Sequence, residues 1–264
     1  MDSVNKTLYI PLYGKAYVSR KGIILNDKKA EEIWSREGFE LKGKSRSKWL
    51  AYYMGMRSKV FDIWLSQKMD EMENAIVIHM GCGMDSRAER VGTKGHLWCD
   101  VDFPEVIQER KKYYEESKEY HMIASDVRSQ SWIQEIPKDK PAILVMEGLS
   151  MYLAPKELIE ILEALKRHFK NIHLLMDCYT TFAAKASKYK NPINDVGVTE
   201  VYGLDDPKVL ETAGVQFVKE HEMTPERMIN ELKGFEKTIF EKLYAGSVSK
   251  KMYRLYEYGY GKEI

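Results

Sequence analysis

The sequence predicts an α/β fold: a largely parallel sheet of seven strands with helices on both faces, preceded by a helical N-terminal extension. Three observations lead there. From residue 75 short apolar runs alternate with helix-length polar segments, the first run ends in a glycine turn, and two tail segments alternate apolar with polar residues. The first pattern is the sequence form of a parallel sheet, whose strands are buried on both faces and joined by helical crossovers.

The elements follow in chain order. The tyrosine-rich ends, LYIPLYGKAY and YRLYEYGYGK, read as half-buried strands, with the walls of an aromatic pocket as the alternative. Residues 27 to 72 read as helix, first DKKAEEIW, then Ser45 to Met72, where Trp49, Tyr52, Tyr53, Met56, Val60, Phe61 and Trp64 recur at three- and four-residue steps. The intervening KGKSRSK is a solvated loop and helix start. Five candidate strands follow: AIVIHM, HLWCDV, HMIASD, AILVME and IHLLMDC. Between them lie the helical segments PEVIQERKKYYEESKEY and PKELIEILEALKRHF, with Pro104 and Pro155 in their first turns, where a missing N–H costs nothing. VQFVKEHEM and KMYRLYEYGY would supply an antiparallel edge. No repeat or long linker divides the chain, so residues 1–264 are expected to form one domain, with 1–73 an extension or lid and 74–264 the core.

Composition narrows the partners. Lys plus Arg at 41 nearly balances Asp plus Glu at 40, which argues against duplex nucleic acid or an anionic membrane as a bulk electrostatic partner. A small-molecule partner is expected. No run approaches the roughly 18 apolar residues of a membrane span, and the N-terminus lacks a basic segment followed by an apolar one. Cys82, Cys99 and Cys178 form no CxxC, which points to a reducing compartment, the cytoplasm, and away from bound metal. The oligomeric state is not legible.

The stretch NAIVIHMGCGMDSRAER carries the functional signal. Gly81 and Gly83 follow the first strand, where glycine permits positive φ and lets a ligand approach the main chain. Ser86 with Glu89 reads as a capping box that starts the next helix. Downstream, Asp102, Asp126 and Glu147 each end a candidate strand, at steps of 21, 24 and 21 residues counted from Gly81, and so share one rim of the sheet. An acid ending the second strand suits a ribose diol of either NAD or S-adenosylmethionine. Ser86 stands where a dinucleotide fingerprint wants a small third residue, which weakens NAD. A carboxylate beside a backbone N–H, Asp126 with Val127, suits an adenine. An NAD-linked oxidoreductase and a non-catalytic S-adenosylmethionine-binding protein stay open as alternatives.

GCGMDSR, DVDFPEVI, SDVR and MEGLSMYL, in that order, resemble the leucine carboxyl methyltransferase family, in particular its bacterial tetracenomycin polyketide-synthesis-type O-methyltransferases. The resemblance runs from about Ile10, through IPLYGKAYVS and ILNDKKA, to YRLYEYGY. It implies a Rossmann-like, seven-stranded class I methyltransferase sheet and S-adenosylmethionine as methyl donor, giving S-adenosylhomocysteine. By position it implies that Gly81, Cys82 and Gly83 form the turn against the donor's methionine part, that Asp102 holds the ribose, and that Asp126 and Val127 contact adenine. Glu147 would lie near the amino-acid end, with Arg57 and Lys15 at its carboxylate. Tyr152 would orient the acceptor. Cys82 and Lys15 depart from commoner family residues, and the interval from Asp102 to Asp126 lacks the insertion of eukaryotic members that methylate a phosphatase C-terminus. The expected activity is O-methylation of a carboxylate or hydroxyl on a small molecule. A carboxylate acceptor is already ionised at pH 7, whereas a phenol needs a base; His79, His168 and His173 are the candidates, each within a core-facing run. Asp177 and Cys178 close the fifth strand at the same rim.

Overall fold

A computed structural model describes residues 4–36, 41, 43–187 and 200–261. One sheet contains β1 (Ile76–Met80), β2 (Leu97–Asp102), β3 (Tyr120–Ala124), β4 (Pro141–Met146), β5 (Asn171–Tyr179), β6 (Gln216–Glu220) and β7 (Tyr253–Tyr260). Their order is β3-β2-β1-β4-β5-β7-β6; the first five are parallel, and β7 runs antiparallel to β5 and β6. β2 and β3 extend to one side of β1, β4 and β5 to the other. The carboxyl end of β1 is therefore the switch point where such sheets bind ligands.

Two apolar layers cover the sheet, and the strand period of two sorts residues between them. Val77, Ile143, Val145 and Leu175 face the layer built with the N-terminal helices α1 (Val4–Arg20), α2 (Lys28–Arg36) and α3 (Lys48–Glu71). Ile78, Leu144 and Met176 face the other layer. Later in the chain come α4 (Arg87–Val91), α5 (Pro104–Arg110), α6 (Pro155–His168), α7 (Thr181–Ser187), α8 (Glu226–Ile229), α9 (Gly234–Leu243) and α10 (Gly246–Met252). Leu158, Ile161, Leu162 and Leu165 of α6 fill that second layer at helical spacing. His79, Asp100, Asp102, Glu147 and Asp177 share the parity of the first layer. These charged side chains thus lie on the same face of the sheet as that first layer.

α3 is buried around most of its circumference, including Arg57, Ser58 and Asp62. A helix in that position is sandwiched, here between α1 and the sheet. α1 lies close against it because Gly14 and Gly55 have no Cβ; one at either position would stand 2.8 Å from Met54 or Val18.

Four expectations need correction. LYIPLYGKAY is not a strand but part of α1: its tyrosines stand four apart, so Tyr9, Tyr13 and Tyr17 share a helical face, and Tyr17 meets Tyr52 of α3 edge-on at 5.9 Å. The expected helix 104–120 ends at Arg110, after which Ser117 and the Glu116 carboxylate bond the backbone of Tyr120 and Met122 and return the chain to the sheet. Between β3 and β4, where the 21-residue step from Asp126 to Glu147 has the length of one strand plus one helix, there are only 3₁₀ turns, Val127–Ser129 and Ser131–Glu135. Ser86 does precede α4, but no capping box forms. Its hydroxyl bonds the Asp27 carboxylate at 2.5 Å and accepts from Arg90 at 2.9 Å, charged partners that outcompete a backbone N–H.

Candidate functional site

At the carboxyl end of β1 the chain turns through Gly81, Cys82 and Gly83. Gly81 and Gly83 have φ of 66° and 52°, and a Cβ on Gly81 would meet the Leu149 side chain at 3.1 Å. The turn is tied to β2 on both sides: the Gly81 N–H donates to the Val101 carbonyl (2.8 Å) and the Gly83 N–H to Asp102 Oδ2 (2.8 Å). Asp102 Oδ1 accepts from the Phe103 N–H at 2.8 Å. Burial pushes the Asp102 carboxyl up to about 6, although these two N–H bonds pull the other way.

Beyond the turn is a cavity of about 150 Å³. Lys15, Arg57, Gly81, Cys82, Gly83, Glu147 and Tyr152 all line it, so seven of the expected site residues meet at one place. Asp102 stands behind Gly83. Asp126 and Val127 lie outside the cavity: Asp126 is half-buried and accepts from the Arg128 N–H (3.0 Å) and guanidinium (2.6 Å), while Val127 is buried in the second apolar layer. Those Arg128 bonds hold the Asp126 carboxyl below its ordinary value.

The charged wall is a continuous network. Arg57 donates from Nε to Glu147 Oε1 and from a terminal nitrogen to Asp177 Oδ2, both at 2.9 Å. Lys15 pairs with Asp85 at 3.1 Å. Arg57, on a helix, is thus buried and paired with two carboxylates. Burial alone would raise Glu147, yet Arg87, Arg57 and Lys15 bring it down to about 2. Asp177 moves the other way, because burial outweighs Arg57 and the Gly148 N–H that it accepts at 2.6 Å. Cys178, next along β5, points to the opposite layer, its thiol 3.6 Å from the Leu204 carbonyl.

The three histidines separate. His168 bonds the Ile136 carbonyl at 2.8 Å, far from the cavity, and His173 is buried in β5 outside it. His79 lines the cavity, but burial, with Arg87 adjacent, lowers it to about 4. Its Nε2 lies 3.2 Å from an Arg87 donor, which makes it an acceptor there.

Several site residues escaped the sequence. Asp27, Asp62, Asp85, Arg87 and Arg90 are joined by ion pairs of 2.6–3.3 Å, and of these Asp85 lines the cavity. The one available signal was the pair Arg87 and Arg90, three residues apart at the start of the helix that follows the glycine turn. From the tail, Tyr253 reaches the cavity and meets Tyr179 of β5 with ring centroids 4.7 Å apart. From the N-terminal segment, Leu8, Ile10, Pro11, Leu12 and Lys15 line the cavity, whereas Tyr9, Tyr13 and Tyr17 do not. Among the described residues no cluster of His, Cys, Asp and Glu could hold a metal ion, and no helix is long and apolar enough to cross a membrane.

Comparison with known proteins places this geometry. The model of the leucine carboxyl methyltransferase family matches residues 6–166. The chain is 28% identical over 243 residues, 90% of each protein, to the tetracenomycin polyketide synthesis O-methyltransferase TcmP of Streptomyces glaucescens. It is 27% identical over 235 residues to the S-adenosyl-L-methionine-dependent methyltransferase dpfgK of Gibberella zeae, covering 80% of this chain and 79% of that one. Among solved structures, an S-adenosylmethionine-dependent methyltransferase from Mesorhizobium loti aligns with a TM-score of 0.54 at 11% identity, over 75% of this chain and 96% of that one. The magnesium protoporphyrin IX methyltransferase of Synechocystis PCC 6803 aligns at 0.51 and 14% identity, over 93% and 96%. These likenesses establish the fold as that of class I methyltransferases. The family match covers most of the chain, which belongs to the leucine carboxyl methyltransferase family.

Proposed function

We propose that the chain is an S-adenosylmethionine-dependent O-methyltransferase acting on a carboxylate or hydroxyl of a small molecule, within one domain whose residues 1–73 form the lid. One observation carries the reading: a cavity at the glycine turn is lined both by charges of either sign, Lys15 and Arg57 with Asp85 and Glu147, and by apolar and aromatic side chains, Met54, Met151, Tyr152 and Tyr253. The charged set suits a zwitterionic amino-acid end. The apolar set suits an acceptor.

The residues present fit the donor. Gly81 and Gly83 remove the Cβ atoms that would hold it from the main chain. Glu147 would take the ammonium, Arg57 and Lys15 would face the carboxylate, and Asp102, already anchored by two N–H groups, would present its remaining lone pairs to a ribose diol. Asp126 and Val127 would take the adenine once Arg128, an exposed side chain, swings aside. When bound, the donor supplies an electrophilic methyl group, so the protein must chiefly align the acceptor and exclude water. Tyr152, with Tyr179 and Tyr253 beside it, does the aligning. His79 is a poor base, since burial keeps it neutral and Arg87 occupies its Nε2. Of the two acceptors, the carboxylate is favoured because it needs no proton removed.

The test is a thermal melt with S-adenosylmethionine, S-adenosylhomocysteine and NAD in parallel. A ligand at a hundred times its Kd adds about 2.7 kcal/mol, or roughly 5–10 °C for a chain of this size. Shifts with the two adenosyl ligands and none with NAD are expected. A shift with NAD alone would overturn the donor, and donor binding without methyl transfer to any carboxylate or hydroxyl in a metabolite panel would leave a non-catalytic binding protein.

A further inference from the structure

Arg87 enters the mechanism above only as the group that occupies His79 Nε2. It does not line the cavity, yet it is completely buried, and all of its guanidinium nitrogens are engaged. Nε donates to Asp62 Oδ1 at 2.8 Å, one terminal nitrogen lies 3.2 Å from His79 Nε2, and the other donates to Ser58 Oγ at 3.1 Å and to Glu147 Oε2. That last nitrogen also stands 3.3 Å from Asp85. The plane packs on the Phe61 ring at 5.3 Å. These partners belong to β1, α3, the glycine turn and the end of β4, so the fork cannot rotate without breaking contacts to four separate parts of the fold.

We propose that Arg87 is the positioning residue for Glu147, fixing the carboxylate that receives the ammonium of the methyl donor; this rests on the donor reading given above. Glu147 is held at both oxygens, Oε1 by Arg57 and Oε2 by Arg87, as Asp62 and Asp85 are by their own cations. Two bonds from opposite sides define the plane of a carboxylate. Oε1, with Arg57 as its one donor, keeps a second lone pair, and Glu147 lines the cavity, so that lone pair is what the site offers to a ligand. An ammonium needs its acceptors at fixed directions, and without Arg87 one oxygen of Glu147 is restrained by little more than Ser58, 3.5 Å away. Arg87 itself touches no ligand; it acts through Glu147.

Calorimetric titration with S-adenosylhomocysteine and with 5′-methylthioadenosine separates this role from a merely structural one, because the second ligand keeps the adenosine and thioether but lacks the amino-acid end. Arg87→Gln is expected to weaken S-adenosylhomocysteine about tenfold or more, within the coupling range of residues in contact, and to leave 5′-methylthioadenosine within about twofold. Glu147→Gln should produce the same selective loss, and Arg87→Gln combined with Glu147→Gln should bind no more weakly than Glu147→Gln alone. If Arg87→Gln fails to fold, Arg87→Lys keeps the charge without the fork and should show a smaller loss of the same selectivity. Equal loss of both ligands, no loss of either, or additive effects in the double variant would overturn the role of Arg87 while leaving the donor site standing. Wild-type protein that bound neither ligand would overturn the donor reading, and this inference with it.

Discussion

Replacing Asp102 by Asn removes one buried charge from the end of β2 with almost no change of shape. Burial raises this carboxyl from 3.8 to about 6, which at 1.36 kcal/mol per pH unit is a penalty of about 3 kcal/mol on the ionised folded protein. Between pH 4 and 6 the folded state holds the Asp102 proton more often than the unfolded state does, so the contribution of Asp102 to stability falls as pH rises. His79 works in the opposite sense. Its folded value is depressed from 6.5 to about 4, so its contribution is present above pH 6.5 and is lost as pH falls through 4. The two slopes largely cancel in the wild type, and Asp102→Asn unmasks the histidine. The variant cannot accept both the Gly83 and Phe103 N–H bonds, because its amide nitrogen is a donor; an unsatisfied buried N–H costs about 1–3 kcal/mol at any pH. Asp102→Asn should therefore be less stable than wild type at pH 4 by about 1–3 kcal/mol and equal or more stable at pH 8. Urea unfolding followed by circular dichroism at pH 4 to 8 reads the difference. A gap between the two proteins that stays constant within about 1 kcal/mol across that range would refute the buried, high-pKa carboxyl.

Three further substitutions probe other parts of the site. Glu89→Ala should change stability by less than about 0.5 kcal/mol in chemical unfolding, because no capping box forms; a loss of about 1 kcal/mol would restore the box. Gly83→Ala forces a side chain into φ 52° and places its Cβ 3.1 Å from Leu8, so a loss of roughly 1–2 kcal/mol and weaker S-adenosylhomocysteine binding by calorimetry are expected, whereas an unchanged melting midpoint would contradict the turn geometry. Arg57→Leu leaves Asp177 without a cation and Glu147 with Arg87 as its remaining charged partner, and should cost about 3–5 kcal/mol at pH 8, with partial recovery on acidification as Asp177 takes a proton; pH-independent stability in urea would argue against that pairing.

How far the sequence reaches depends on which force sets each feature. The five parallel strands were legible because burial on both faces writes them as apolar runs, and the β6–β7 edge because alternation marks a pairing surface. α5 was overread: RKKYYEESKEY has helical composition, but Ser117 and the Glu116 carboxylate reward a turn back to the sheet, and such side-chain bonds have no periodic signature. The glycine turn, Asp102 and Glu147 were visible as local signals at strand ends. Arg57 was not, since nothing local distinguishes a buried arginine from a solvated one; only the resemblance singled it out. Arg87, Asp62 and Asp27 were missed because their partners lie 25 to 63 residues away. The polar residues inside otherwise apolar runs, His79, Asp100 and Asp177, were the overlooked clue, for each sits at the parity of the first apolar layer.

That parity also explains why so many charges are buried at one place. A buried ion network is a weak source of stability, since desolvation offsets most of its attraction and apolar replacements of equal volume are often as stable. Nine groups nevertheless form one: Lys15, Arg57, Arg87 and Arg90 against Asp27, Asp62, Asp85, Glu147 and Asp177. Five carboxylates face four cations; burial pushes the Asp177 carboxyl upward, while Glu147 and Asp85 are held down by their cations. A set built only to hold α1, α3 and α4 on the sheet would have no reason to carry the extra negative charge or to expose Glu147, Arg57 and Lys15 to a cavity. On the donor site proposed above, a ligand bearing one net positive charge would complete it. The methyl donor, with sulfonium, ammonium and carboxylate, carries that charge, whereas its demethylated product is neutral, so the same excess would favour the donor over what remains after transfer.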